Sequence, residues 1–353
     1  MSMRETSAEA PGRVNLMGEH TDYHQGFVLP TIIPQRTRVY LRARPDRTVH
    51  ATSRETGNSR QRYVVGEEAV THSWLDYIQG VTHALRSVTS NLPGFDLHIE
   101  SDVPPGSGLS SSAALTVSLL RGLRDLYKFR FDDVELAKIA QRAETEFVGA
   151  PIGIMDQMAC SLGRRGEALF LDTRSLAFER VALPADAAVV VIDSGVRHQH
   201  ASGAYAVRRR ESFAAAKLMG VDTLRDLDLT AIPQIDKLPD PLSRRARHVV
   251  TENQRVHETV RAMARNDVAT VGALFLASHA SMRHDYEVST VEVDTLVELG
   301  QIHPAVYGAR LTGGGFGGCV VMLVRAQVSR SVAVKVLADY HKRCARQGTI
   351  LLT

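Results

Sequence analysis

The run Pro104-Pro105-Gly106-Ser107-Gly108-Leu109-Ser110-Ser111-Ser112-Ala113-Ala114 puts two glycines and four serines into one turn. An apolar-periodic segment follows at once, with Leu115, Val117, Leu119, Leu120 and Leu123. The prolines stop a preceding strand, the glycines let the backbone curl, and the serines are expected to cap the next helix. Such a turn aims several backbone N–H groups into one concavity at the positive end of a helix, which suits a phosphate. No Gly-Lys-Ser/Thr occurs in the chain, so the lysine of a Walker loop is missing. A cation must then come from elsewhere, and a metal held by Ser112 is the candidate. The competing reading is an ordinary Gly/Ser strand-to-helix turn, and the loop by itself does not separate the two.

Further segments add to this. Glu144, on a helix expected over 132–148, would join Ser112 in holding a divalent ion against nucleotide phosphates; an exposed helical glutamate is the alternative. Asp156 stands in Gly153-Ile154-Met155-Asp156-Gln157, just after a Pro/Gly turn. It is either a helix N-cap or a carboxylate that accepts a proton from an attacking hydroxyl. In Gly12-Arg13-Val14-Asn15-Leu16-Met17-Gly18-Glu19-His20-Thr21-Asp22-Tyr23, convergent Glu, His and Asp side chains suit a polyhydroxylated ligand. Arg13 would neutralise Asp156 and a phosphoryl group in transit; a polar surface turn is the alternative. The run Leu311-Thr312-Gly313-Gly314-Gly315-Phe316-Gly317-Gly318 contains G-x-G-x-x-G, but a strand rather than a helix follows it. It is therefore read as backbone pressing on another loop or on the ligand, not as a dinucleotide fingerprint.

These residues need elements to position them. Residues 48–65 read as a hairpin turning at Gly57-Asn58, 74–90 as a helix, and Phe95–Ile99 as a half-buried strand feeding the serine loop. Leu169–Leu171 and Val189–Ile192 look like short buried strands. Long charged helical segments follow at 204–219, 243–265, 267–281 and 288–301, then a strand at 318–325 and a helix at 328–345. The change of character near 195–202 places a domain boundary, giving 1–197 and 198–353.

Composition narrows the class. The chain has 353 residues, 44% hydrophobic and 23% charged, as an ordinary globular protein has. A net charge of +3 leaves no nucleic-acid footprint. The arginines at 208–210 and at 244, 245 and 247 read as solvated helix faces. Three scattered cysteines fit a reducing cytoplasm, and neither an apolar leader nor a membrane-length run is present. His198 and His200 share a strand face with no third ligand in motif spacing, so zinc is not expected.

In combination the motifs resemble the GHMP kinase superfamily, and within it the galactokinase family, over roughly residues 10–325. Softer matches are Trp74-Leu75-Asp76-Tyr77, Tyr205 with Arg208-Arg209, and Arg283-His284-Asp285-Tyr286-Glu287. The resemblance implies an α+β protein with the two-domain GHMP kinase fold. Its N-terminal sugar- and ATP-binding domain would be ribosomal-protein-S5-domain-2-like, its C-terminal GHMP kinase domain ferredoxin-like, and the active site would lie in the cleft between them. It further implies transfer of the γ-phosphoryl of ATP, with Mg2+, to the anomeric C1 hydroxyl of α-D-galactose. Asp156 would be the base and Arg13 the transition-state stabiliser. Glu19, His20, Thr21, Asp22, Gly153 and Tyr205 would hold the sugar, and Ser53, Trp74 and Tyr77 would lie near the nucleotide. Gly106, Ser107, Gly108, Leu109, Ser110, Ser111 and Ser112 would wrap the phosphates, with Ser112 and Glu144 on magnesium.

The chain departs from the family pattern at His24 and Asp76, where asparagine is common, in the ten residues before Pro11, and in a C-terminus without a proline-containing tail. Two alternatives stay open: a GHMP kinase for another galactose-like sugar, and a catalytically silent sugar and ATP sensor. Retention of Ser112-Ala113 argues against the sensor. The expected partners are a small sugar and ATP, without nucleic acid or membrane, in a monomer or weak homo-oligomer.

Overall fold

The computed structural model describes residues 4–197 and 201–353. His198 and His200 lie outside the described residues. In chain order the strands are β1 (Glu5–Asn15), β2 (Phe27–Val28), β3 (Pro30–Ala43), β4 (Thr48–Ser53), β5 (Gln61–Val64), β6 (Phe95–Ser101), β7 (Glu167–Asp172), β8 (Phe178–Ala182), β9 (Ala187–Arg197), β10 (Val306–Thr312), β11 (Gly317–Arg325) and β12 (Thr349–Leu352). The helices are α1 (Leu75–Ala84), α2 (Ser111–Tyr127), α3 (Asp133–Arg142), α4 (Met155–Leu162), α5 (Ala201–Leu218), α6 (Ile232–Ile235), α7 (Leu242–Ala264), α8 (Val268–His284), α9 (Val291–Gln301) and α10 (Ser329–Arg343).

The chain forms two compact units, neither of them one continuous stretch. The first comprises Met1–Arg13, Ile32–Pro105 and Leu109–Gly163; the second Val14–Thr31, Gly106–Gly108 and Arg164–Thr353. This partition differs from a single cut at 197/198, because β9 lies between β11 and β12 in a sheet of the second unit.

In the first unit β3 pairs with β1 and, antiparallel, with β6. β4 runs parallel to β6 and turns back as the expected hairpin into β5, through Gly57 and Asn58 at φ 71° and 59°. Along β6, Phe95, Leu97 and Ile99 are buried and the residues between them half-buried, the period-2 pattern of a strand with one covered face. Helix α2 buries Ala113, Val117, Leu120 and Leu123 completely, at the three- and four-residue spacing that keeps one stripe on the core. Truncating such a leucine to alanine costs about 2–5 kcal/mol.

The helix expected over 132–148 starts as foreseen, with the Asp132 carboxylate accepting from Glu135 N. It ends its α-helical course at Arg142 and continues as a π-turn, Ala143–Val148. Helix α1 packs directly on this turn. Gly80 allows that approach, since a Cβ there would meet Ala143 O at 2.7 Å.

The second unit holds an antiparallel four-stranded sheet in the order β10-β11-β9-β12, with α8 and α9 on β10 and α10 on β9. Val190, Ile192, Val320 and Met322 form its apolar centre with Leu296 and Val336. The arginine clusters are not all solvated faces. Arg245 is 1% exposed and bonds Glu211 Oε2 at 2.7 Å and Glu287 Oε2 at 2.6 Å, because helix packing leaves its charge no water to face.

Candidate active site

In the first unit, Arg13, near the end of β1, lies beside Leu109 of the serine loop. Arg13 N donates to Leu109 O at 3.1 Å, and Gly12 makes the approach possible, since a Cβ would meet the same oxygen at 2.7 Å. The Arg13 guanidinium, nearly buried, contacts Asp156 Oδ1 through Nε at 2.8 Å and Nη2 at 2.6 Å. Ser110 Oγ donates to the other oxygen, Asp156 Oδ2, at 2.6 Å. Asp156 is therefore not a helix cap. Ile154 holds the N-cap position of α4, and Asp156 sits in the first turn, where the helix dipole favours negative charge.

The serines do not cap α2 either. Ser110 occupies its N-cap position in the left-handed region, φ 62°, with no capping hydrogen bond. Its hydroxyl serves Asp156 instead.

Glu144 is 2% exposed, within the π-turn. It accepts from Thr116 Oγ1 at 3.2 Å and Gln157 Nε2 at 2.9 Å, and Ser112 is a third hydrogen-bond partner. Burial pushes its carboxyl up to about 7; the bonds from Gln157, Ser112 and Thr116 oppose the rise, and the Asp156 charge adds to it. An exposed helical glutamate is thereby excluded. Gln157 Oε1 is buried without a hydrogen-bond partner. A buried carboxylate, a serine hydroxyl and an orphaned amide oxygen make a hard-oxygen set that fits Mg2+. Among the described residues no group of three or more His, Cys, Asp or Glu could hold a metal, so water and phosphate oxygens would complete the shell.

Ser53 closes β4 and is buried, donating to Glu55 Oε2 at 2.8 Å. Trp74 is the residue before α1, and Tyr77 lies half-buried in its first turn. The Asp76 carboxylate accepts from Thr71 N, Thr71 Oγ1 and His72 N, all within 2.8 Å, and so fixes the loop that leads to Trp74. Gly153 is half-buried, two residues before α4.

In the second unit, the loop after β1 carries Glu19, His20 and Thr21, all nearly or fully buried. Glu19 Oε1 accepts from Gly313 N at 2.8 Å. His20 Nδ1 and the Tyr23 hydroxyl are 2.9 Å apart, and the His20 ring packs on Tyr205 and Tyr286, at 5.2 and 4.7 Å between centroids. Burial drives the His20 pKa down to about 3, with His248 adding to the drop, so its ring is neutral. Thr21 Oγ1 donates to Gly18 O and Phe27 O, which places its hydroxyl in shaping the loop. Asp22 opens a short 3-10 turn, its Oδ1 accepting from Tyr23 N.

The glycine run after β10 presses on other loops, as read from the sequence. A Cβ at Gly313 would lie 3.6 Å from Gly108 O, and Cys319 Sγ donates to Ser107 O at 2.9 Å. Gly106 and Gly108 take φ 68° and 76°, the curl anticipated for the serine loop. Sequence reasoning assigned no role to Thr116, Gln157, Tyr286 or Arg310, although Gln157 and Tyr286 stand inside matched segments. Thr116 and Gln157 reach Glu144 only through the fold, and Tyr286 and Arg310 stand far along the chain from Tyr23 and Glu19, which they meet.

Three family models match the chain. One described as the galactokinase galactose-binding signature matches residues 3–43, and those for the GHMP kinases N terminal domain and GHMP kinases C terminal match 76–164 and 259–342. The chain is 43% identical over 348 residues to a galactokinase of Roseiflexus, spanning 97% of this chain and 89% of that one. The chain belongs to the galactokinase family. A galactokinase of Chloroflexus aurantiacus is 42% identical over 349 residues, spanning 96% and 89% of the two chains. Lactococcus lactis galactokinase, solved in complex with galactose, superposes with a TM-score of 0.94 at 31% identity, covering 99% of this chain and 93% of that one. Mevalonate kinase of Methanococcus jannaschii, at 18% identity and TM-score 0.72, shares the fold. Membership of the galactokinase family makes the protein an ATP-using sugar kinase that phosphorylates galactose.

Proposed function

We propose that the chain transfers the γ-phosphoryl group of ATP to the C1 hydroxyl of α-D-galactose, with Asp156 accepting the hydroxyl proton and Arg13 stabilising the charge in flight. The observation that carries this reading is the Asp156 carboxylate, clasped at Oδ1 by Arg13 and at Oδ2 by Ser110 from the serine loop. Held this way, the carboxylate is oriented before the sugar arrives, and the guanidinium stands ready where negative charge develops. Phosphoryl transfer needs little covalent chemistry from a protein, so positioning and charge supply most of the acceleration.

The sugar is recognised in this proposal by Glu19, His20, Asp22, Gly153 and Tyr205. Thr21 acts through the loop it folds. A neutral His20 suits this work, as its ring can exchange hydrogen bonds with hydroxyls without calling for a counter-charge. Ser53, Trp74 and Tyr77 would face the nucleotide, and Gly106 to Ser112 its phosphates. Mg2+, held by Ser112 and Glu144, would neutralise phosphate charge.

We keep the cut at 197/198 as a division of labour, with most sugar and nucleotide groups before it and Tyr205 after it. A cytoplasmic enzyme, monomeric or weakly self-associating and without nucleic-acid partners, fits the net charge of +3 and the three scattered cysteines. Among the described residues no helix is long and apolar enough to cross a membrane.

The test is ADP release over a panel of monosaccharides, with and without magnesium. Turnover is expected with galactose and to require the ion. Equal turnover with glucose, or none with any sugar, would refute the proposal.

A further inference from the structure

Glu252 lies on α7, more than two hundred residues from the galactose signature, and belongs to no motif of the sequence. Its side chain is fully buried. Oε1 accepts from Gly18 N at 3.0 Å, Glu19 N at 3.4 Å and Ser278 Oγ at 2.7 Å; Oε2 accepts from Arg255 Nε at 2.6 Å. One turn earlier on the same helix, His248 Nε2 donates to Glu19 O at 3.1 Å. Positions four apart share a helix face. Helix α7 thus holds the amide of Glu19 through Glu252 and its carbonyl through His248.

The side chain of Glu19 is tied to the same network. Arg310 is 0% exposed, and its Nη2 lies 3.6 Å from both Glu19 Oε1 and Glu252 Oε1. Two carboxylates and two guanidinium groups balance here, with Glu19, Glu252 and Arg310 buried and Arg255 12% exposed. That arrangement persists only while each partner is present.

The backbone needs such support. Gly18 has φ 96°, where a Cβ would lie 2.4 Å from Phe27 O, and His20, not a glycine, has φ 61°. A non-glycine residue in the left-handed region costs about 1 kcal/mol or more and survives where the surroundings over-determine it. Burial alone would raise the Glu252 carboxyl, but Arg255, Arg310 and His248 hold it well below the usual range, so the charge that accepts these bonds persists at neutral pH.

We propose that Glu252 is a positioning residue for the sugar: it fixes the Gly18–Glu19 backbone and, with Arg310, the direction of the Glu19 carboxylate that receives galactose. The inference rests on the sugar-binding reading of Glu19. Glu252 contacts Gly18, Glu19, Ser278, Arg255 and Arg310, so its replacement is expected to fall on galactose binding and not on the nucleotide.

The experiment compares wild type, Glu252→Gln and the milder Ser278→Ala. Steady-state kinetics and the upward shift in melting temperature produced by galactose, and separately by ATP, are measured for each. We expect Glu252→Gln to raise KM for galactose about 10- to 100-fold with KM for ATP within about twofold, and to lose the galactose-induced shift while keeping the ATP-induced one. Ser278→Ala should move the same quantities in the same direction by less. Should Glu252→Gln fail to fold, Ser278→Ala carries the test alone. An unchanged KM for galactose in the folded variants, or equal rises for both substrates, overturns the proposal. A wild type that shows no galactose-dependent ADP release overturns the reading beneath it.

Discussion

Arg13 and Asp156, 143 residues apart in sequence, meet through two nitrogen contacts to a single carboxylate oxygen, Oδ1. The second oxygen is thereby left to Ser110, whose left-handed backbone turns its hydroxyl onto Oδ2. The pair fixes both the place and the rotation of the carboxylate that we assign as proton acceptor.

Replacing Asp156 with alanine should lower kcat about 100- to 10,000-fold, the usual worth of a positioned acid–base group. The far-ultraviolet circular dichroism should be unchanged, because Asp156 is a first-turn residue and not the cap of α4. Near-normal kcat in the folded variant would remove Asp156 from the chemistry.

Ser110→Ala leaves charge and size nearly intact and deletes one hydrogen bond to the carboxylate. We expect kcat to fall about tenfold, the size of effect given by about 1.4 kcal/mol of lost orientation, while the magnesium requirement stays that of wild type. A loss confined to KM for ATP would instead assign Ser110 to the phosphates alone.

Magnesium activation should depend on pH through Glu144. Its carboxyl titrates near 7 when no ion is bound, so protons compete with the cation below that value. The magnesium concentration for half activation should rise as pH falls from 8 to about 6. In Glu144→Gln it should be high at every pH and free of that slope. A flat profile in wild type would separate Glu144 from the metal.

How much of this was legible beforehand divides along one line. The galactose signature, the serine loop and the glycine run are contiguous, so their residue types report their chemistry directly. The start of the helix at Asp132 and the turn at Gly57-Asn58 are local as well. Glu252 and Arg310 act across long separations, and a glutamate on an amphipathic helix reads as solvated until the fold buries it. The π-turn at Ala143–Val148 was hidden because one extra residue per turn hardly alters an apolar stripe. The four-residue β12 is too short to show a period of its own, and β9 joins its sheet through partners more than one hundred residues later.

Stability should fall on mild acidification. His20, His24 and His248 are held near 3, 3 and 4, first by burial, against 6.5 when unfolded. Below pH 6.5 the unfolded chain binds protons that the fold refuses, so each histidine costs up to about 1.4 kcal/mol per pH unit. Glu144 has the opposite sign: raised from 4.5 to about 7, it favours the fold as pH drops through that window. Three against one leaves a net loss, and the urea midpoint at pH 5.5 should lie clearly below that at 7.5. A midpoint that rises toward pH 5.5 would contradict the burial of these imidazoles.

The most direct measurement is the identity of the product. Galactose and ATP, incubated with wild-type protein and with Asp156→Ala, should be analysed by phosphorus and carbon nuclear magnetic resonance. We expect α-D-galactose 1-phosphate and ADP in equal amounts from wild type, and almost none from the variant. Phosphate on another hydroxyl, ADP without a sugar phosphate, or equal product from the variant would contradict the roles assigned to Asp156 and Arg13.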